Sequence, residues 1–191
     1  MIMTNVMPKV SLLLLPMLAM GLVILAANIL VQYPINASVG TIDLAQWLTY
    51  GAISYPIAFL VTDATNRLFG AGAARRVVYV GFAVGVVLSL IFAPTRIAIA
   101  SGTAFLVAQL LDVYVFDRLR QLTWWKAPLI SSLLGSAVDT ALFFSIAFAA
   151  TPVPWVSLGL GDFLVKLAMA TLLLPAFRAV VVLYPKRLQT A

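Results

Sequence analysis

Residues 97–116 read IAIASGTAFLVAQLLDVYVF, and Asp112 is the only charged residue among them. A helix of this length, rising about 1.5 Å per residue, measures about 30 Å, which is the thickness of a bilayer's hydrocarbon core. The stretch is therefore expected to cross a membrane. Its polar exceptions are not scattered: Ser101, Phe105, Gln109 and Asp112 follow one another at intervals of four, four and three, which lines them along one face of a helix. A carboxylate at that depth costs about 2.5–3.5 kcal/mol on insertion scales and usually marks a substrate or ion pathway.

The rest of the chain extends the same reading. Of 191 residues, 63% are hydrophobic and 9% charged, and Glu, His and Cys are absent. Soluble domains carry roughly 25% charged residues, so an all-α integral membrane protein is expected. Without Cys or His there are no thiolate nucleophiles or disulfides, no usual zinc ligands and no imidazole for acid–base work. Neither a metal nor a cofactor is expected, and most hydrolytic chemistry is excluded.

Apolar windows of helical length predict six transmembrane helices over residues 10–32, 45–62, 77–93, 97–116, 127–150 and 155–184, the last kinked at Pro175. Residues 1–191 then form a single six-helix domain, its first apolar run retained as a helix because no small-residue cleavage site follows it. Lys9, Arg67, Arg75, Arg76, Arg118, Arg120, Lys126, Lys186 and Arg187 fall on one side of this layout, while Arg96 stands alone in the opposite loops. By the positive-inside rule both termini are cytoplasmic. Basic clusters between apolar runs set orientation, so the net charge of +6 does not imply nucleic acid.

Further polar stripes accompany the first. In the fifth span Ser132, Ser136, Asp139 and Phe143 are spaced four, three and four; in the sixth, Asp162 and Lys166 stand one turn apart, close enough to pair. Asn28 and Gln32 repeat the interval in the first span. Asp112 and Asp139 with Gln109 and Lys166 combine acceptors and donors suited to a flat polar solute, on which Phe105 and Phe143 would stack. Asp63 and Arg67 end the second span as an interfacial ion pair or a gate. Gly81, Gly85 and Ser89 form a small-residue stripe that serves either packing within one chain or a homodimer face.

Several of these stretches resemble the queuosine precursor transporter family, grouped with vitamin-uptake-type transporters of bacterial inner membranes. The resemblance rests on Ala27 to Gln32, Phe59 to Asp63 with Arg67, Phe69-Gly70 and Ala74 to Arg76, then Arg96 to Ala98 and Gln109 to Val113. It continues through Arg118 to Gln121, Trp124-Trp125, Ala127-Pro128, Gly135, Asp139-Thr140 and Lys166. It implies uptake of 7-cyano-7-deazaguanine or its aminomethyl derivative for tRNA modification. One carboxylate, Asp112 or Asp139, would accept the N–H and amino group of such a ring, and Gln109 or Lys166 would face its carbonyl.

Two other readings stand beside it. The chain could be the substrate-binding subunit of an ATPase-coupled vitamin uptake system; it has no Gly-x-x-x-x-Gly-Lys loop of its own. Alternatively, Gly159-Leu160-Gly161-Asp162-Phe163 resembles the aspartate motif of presenilin-type intramembrane proteases. That chemistry needs a second aspartate in a Tyr-Asp pair, and no Tyr is directly followed by Asp here. A non-enzymatic carrier of a small molecule, embedded in lipid, is the expected function.

Overall fold

The computed structural model describes residues 10–30 and 33–184. Helix α1 spans Val10–Leu30, and a short antiparallel hairpin follows, β1 (Ser38–Val39) with β2 (Ile42–Asp43). Next come α2 (Tyr50–Ser54), α3 (Ile57–Phe69), α4 (Ala71–Phe92), α5 (Thr95–Leu119), α6 (Lys126–Phe148), α7 (Trp155–Leu172) and α8 (Leu174–Leu183). Helices α4, α5, α6 and the α7–α8 pair are each long and apolar enough to cross a membrane. With α1 and the α2–α3 pair they make six helical passes among the described residues, as expected.

The second pass departs from its expected bounds of 45–62. Asp43 accepts a hydrogen bond from the Ala45 amide (3.0 Å), which holds Leu44–Gln46 in a 3-10 turn, and Pro34 bridges to Thr49. Helix therefore begins only at Tyr50, breaks at Pro56, and runs on to Phe69. Apolar Leu44, Leu48 and Trp47 had extended the hydropathy window into this loop, whose Trp47 packs over Gly161 of α7. Gly70, at φ +88°, then turns the chain straight into α4, six residues before the expected start at 77. The break in the last pass falls at Leu173, with Pro175 in the first turn of α8, where its missing N–H costs nothing.

One apolar core joins Met20 and Ile24 of α1 to Ala58 of α3, Ala74, Val77 and Val78 of α4, and Phe105 and Val113 of α5. The glycine stripe of α4 belongs to it: Gly81 lies under Met20 and Gly85 under Ile24, so α1 takes the close approach that the stripe permits. Outward, Leu14, Leu15, Leu18 and Leu22 are bare, which suits acyl chains and would be costly in water. Polar side chains are concentrated at the centre. On α3, Thr62, Asp63, Thr65 and Asn66 are all buried.

Candidate functional site

Helices α3 and α5 are tied by side-chain hydrogen bonds. Thr62 donates to the Gln109 side-chain oxygen (2.6 Å), and one turn further Asn66 donates to the Val113 carbonyl (3.0 Å). At the basic end Arg120 donates to the Asn66 side chain (2.9 Å), while Arg67 donates to the Arg120 carbonyl (2.6 Å). Asp63, between these rungs, is also met by α6, where Ser131 and Ser132 donate to its two oxygens at 3.1 and 3.0 Å. The expected pairing of Asp63 with Arg67 is thus replaced by separate partners for each. A spacing of four allowed the pair, but α6 supplies hydroxyls where Asp63 points, and Arg67 reaches the end of α5 instead.

A second polar cluster joins α6 to α7. Lys166 Nζ donates to Asp139 (2.7 Å), Asp162 (2.5 Å) and Thr140 (3.2 Å), which uses all three of its hydrogens. Thr140 in turn donates to Asp162 (2.8 Å), and the Tyr55 hydroxyl donates to the other oxygen of Asp139 (3.3 Å). The expected Asp162–Lys166 pair is present. Among the described residues of α7 only Gly159 and Lys166 are buried, so this helix meets the bundle through a glycine contact and an ammonium. Asp162 is held here as half of a cation's counter-charge.

Between the two clusters lies a small, partly open hollow of about 20 Å³, lined by Asp63, Ser132, Ser136 and Lys166 with rings from Phe59 and Phe177 and apolar walls from α3 and α8. Gly135 shapes one flank, since a Cβ there would come within 2.7 Å of the Phe59 ring. Asp63 sits about 9 Å from the end of α3, counting 1.5 Å per residue, and is buried.

The expected site residues divide accordingly. Ser132, Ser136 and Lys166 line the hollow. Asp139 is fully engaged behind Lys166, and Gln109 and Asp112 are buried between α3 and α5 without reaching the lining. Neither oxygen of Asp112, nor the side-chain nitrogen of Gln109, finds a hydrogen-bond partner among the described residues. Ser101 and Phe105 line a separate small hollow of about 20 Å³ with Tyr55 and Gly81, between α4 and α5. Phe143 packs against Phe144 and Phe148 (5.2 and 6.0 Å between ring centroids), away from both hollows. The side chain of Asn28 and the whole of Gln32 lie outside the described residues. Thr62, Asn66, Ser131, Thr140 and Tyr55 were not anticipated, although Thr62 and Asn66 flank Asp63 at helical spacing.

Six apolar passes closing around a polar hollow, with paired and unpaired ionic groups at depth, define the class: a multi-pass membrane protein built to handle a polar solute. The family model described as "Putative vitamin uptake transporter" matches residues 49–94 and 88–180. Among named relatives, "Probable queuosine precursor transporter" of Haemophilus influenzae is 38% identical, covering 87% of this chain and 85% of its own. "Queuosine precursor transporter" of Escherichia coli is 34% identical over the same shares. A Bacillus subtilis protein, "Probable queuosine precursor transporter", is 27% identical over 66% of this chain and 69% of its own. No solved structure matches. The chain belongs to this family of transporters, and it is a multi-pass protein of the bacterial inner membrane.

Proposed function

We propose that this chain carries a queuosine precursor, 7-cyano-7-deazaguanine or its aminomethyl derivative, into the cell, and that Asp63 grips it. The single observation behind the reading is a buried carboxylate held by Ser131 and Ser132 at the edge of a small, partly open hollow. A guanine-like edge offers an N–H and an amino group together, and one carboxylate accepts both. The role assigned from sequence to Asp112 or Asp139 passes to Asp63, because Asp139 already answers Lys166 and Asp112 does not reach the lining. Ser136 stands where the ring carbonyl needs a donor, since the Ser132 hydroxyl is already given to Asp63. Phe59 and Phe177 supply faces for the ring in place of Phe105 and Phe143.

The carrier works without catalysis, as a single domain with the basic ends of α3 to α6, and both termini, on the cytoplasmic side. It acts alone rather than as a homodimer, since the glycine stripe that would serve a second copy is filled by α1. Cells unable to make either precursor, fed each in labelled form, should place label in tRNA only when this gene is present. Equal labelling without the gene removes the proposal. Co-purification of a stoichiometric ATPase would shift it to the vitamin-uptake alternative.

A further inference from the structure

Asp63 and Asp112 are the two buried carboxyl groups that Lys166 does not touch. The Thr62–Gln109 and Asn66–Val113 hydrogen bonds are successive rungs between α3 and α5, and they bracket this pair: Asp63 follows Thr62, and Asp112 precedes Val113. Asp63 is 2% exposed and Asp112 fully enclosed. Asp63 has two serine donors; both oxygens of Asp112 accept nothing among the described residues. An ionised carboxylate with no donor, beside a second carboxylate and away from water, is among the most expensive arrangements a protein interior can hold.

Cations around the pair are committed elsewhere. Lys166, across the hollow on α7, is shared by Asp139 of α6 and by Asp162. Arg67 of α3 and Arg120 of α5 direct hydrogen bonds to backbone carbonyls, and Arg120 also pairs with Asp117. On α8, Arg178 lies over the Trp124 ring at 4.8 Å. The face that α4 buries here carries Ala74, Val77 and Val78, with Arg75 and Arg76 at the bundle's end.

Resting on the transport reading above, we infer that Asp63 and Asp112 hold one proton between them and that the chain is a proton–solute symporter. In the empty carrier the proton is available to Asp63. When a ring's N–H edge arrives, the O–H bond of Asp63 breaks, one forms on Asp112, and the freed Asp63 carboxylate accepts both N–H groups. Solute and proton then share the site and leave it together on the cytoplasmic side.

The test uses the purified full chain in liposomes with the membrane potential clamped at zero and labelled 7-cyano-7-deazaguanine outside. With the exterior one pH unit more acid, one proton per neutral solute predicts about tenfold accumulation, since one unit of proton activity is a factor of ten. Without the gradient the label should only equilibrate. Asp112→Asn, a permanent stand-in for the protonated acid, should equilibrate label but not accumulate it. Equal wild-type levels with and without the gradient overturn the symport inference and leave a carrier, and this comparison decides even if the variant does not insert. An inserted variant that still accumulates tenfold, or that fails to equilibrate, overturns the role of Asp112. No entry of either precursor under any condition overturns the transport reading itself.

Discussion

Replacing Lys166 by Met removes one cation from between two carboxylates. All three ammonium hydrogens are engaged, at 2.5 to 3.2 Å, and Asp139 is left facing Asp162 with only the Tyr55 hydroxyl and Thr140 for company. Breaking a buried ion pair by removing one partner costs about 3–5 kcal/mol. The Asp162 side chain keeps 16% of its exposure, which favours the low end, about 3 kcal/mol. For a chain of this size that is a fall in Tm of roughly 6–12 °C, measurable by thermal unfolding in detergent. Pairing the change with Asp139→Asn should restore about half of the loss, because the stranded charge is then gone, whereas Asp139→Asn alone should cost only about 1 kcal/mol. A Lys166→Met protein within 2 °C of wild type, or a double variant no more stable than the single one, would refute the view that this ammonium holds α6 to α7.

Three further outcomes follow from the same geometry. Asp63→Asn should insert normally yet lower precursor uptake by about 10- to 100-fold, the loss expected for one two-pronged contact worth about 1–3 kcal/mol; uptake at the wild-type rate in whole cells would dismiss Asp63 as the ligand. Gly135→Leu should sharply reduce folded protein on size-exclusion chromatography, since even a Cβ meets Phe59 at 2.7 Å and the Ala108 carbonyl at 3.3 Å, and undiminished yield would contradict that packing. Gly70→Ala should cost about 1–3 kcal/mol, seen as a lower Tm, because φ +88° suits glycine and the turn joins α3 to α4 without a spacer.

Much of this molecule could be read from residue order, and the failures have physical causes. The stripe from Ser101 to Asp112 was visible because helical periodicity projects four polar residues onto one face. What periodicity does not give is which neighbour that face meets: α5 turns its lower part, Gln109 and Asp112, to α3, and its upper part, Ser101 and Phe105, to a different hollow. Asp63 was misplaced for another reason. Hydropathy windows slide over loops as readily as helices, so Leu44 to Leu48 pulled the second pass outward and left Asp63 at its rim. Lys166 and Asp162 are one turn apart and legible as a pair, but Asp139 is 27 residues away, and only tertiary packing brings it to the same ammonium.

Pro56 and Leu173, where the second and last passes break, both line the same hollow. The final segment is therefore a stub of ten residues, about 15 Å long, that ends against the chamber instead of running through it. Swinging α8 aside disturbs chiefly ring contacts, Phe177 on Phe116 and Tyr184 on Phe69, which are individually weak and readily remade. Tilting the whole pass would also tear Lys166 from three partners. The break thus divides the pass like a mechanical fuse: the α8 half is held by ring and cation–π contacts, Arg178 on Trp124 among them, and the α7 half by the charges on Lys166.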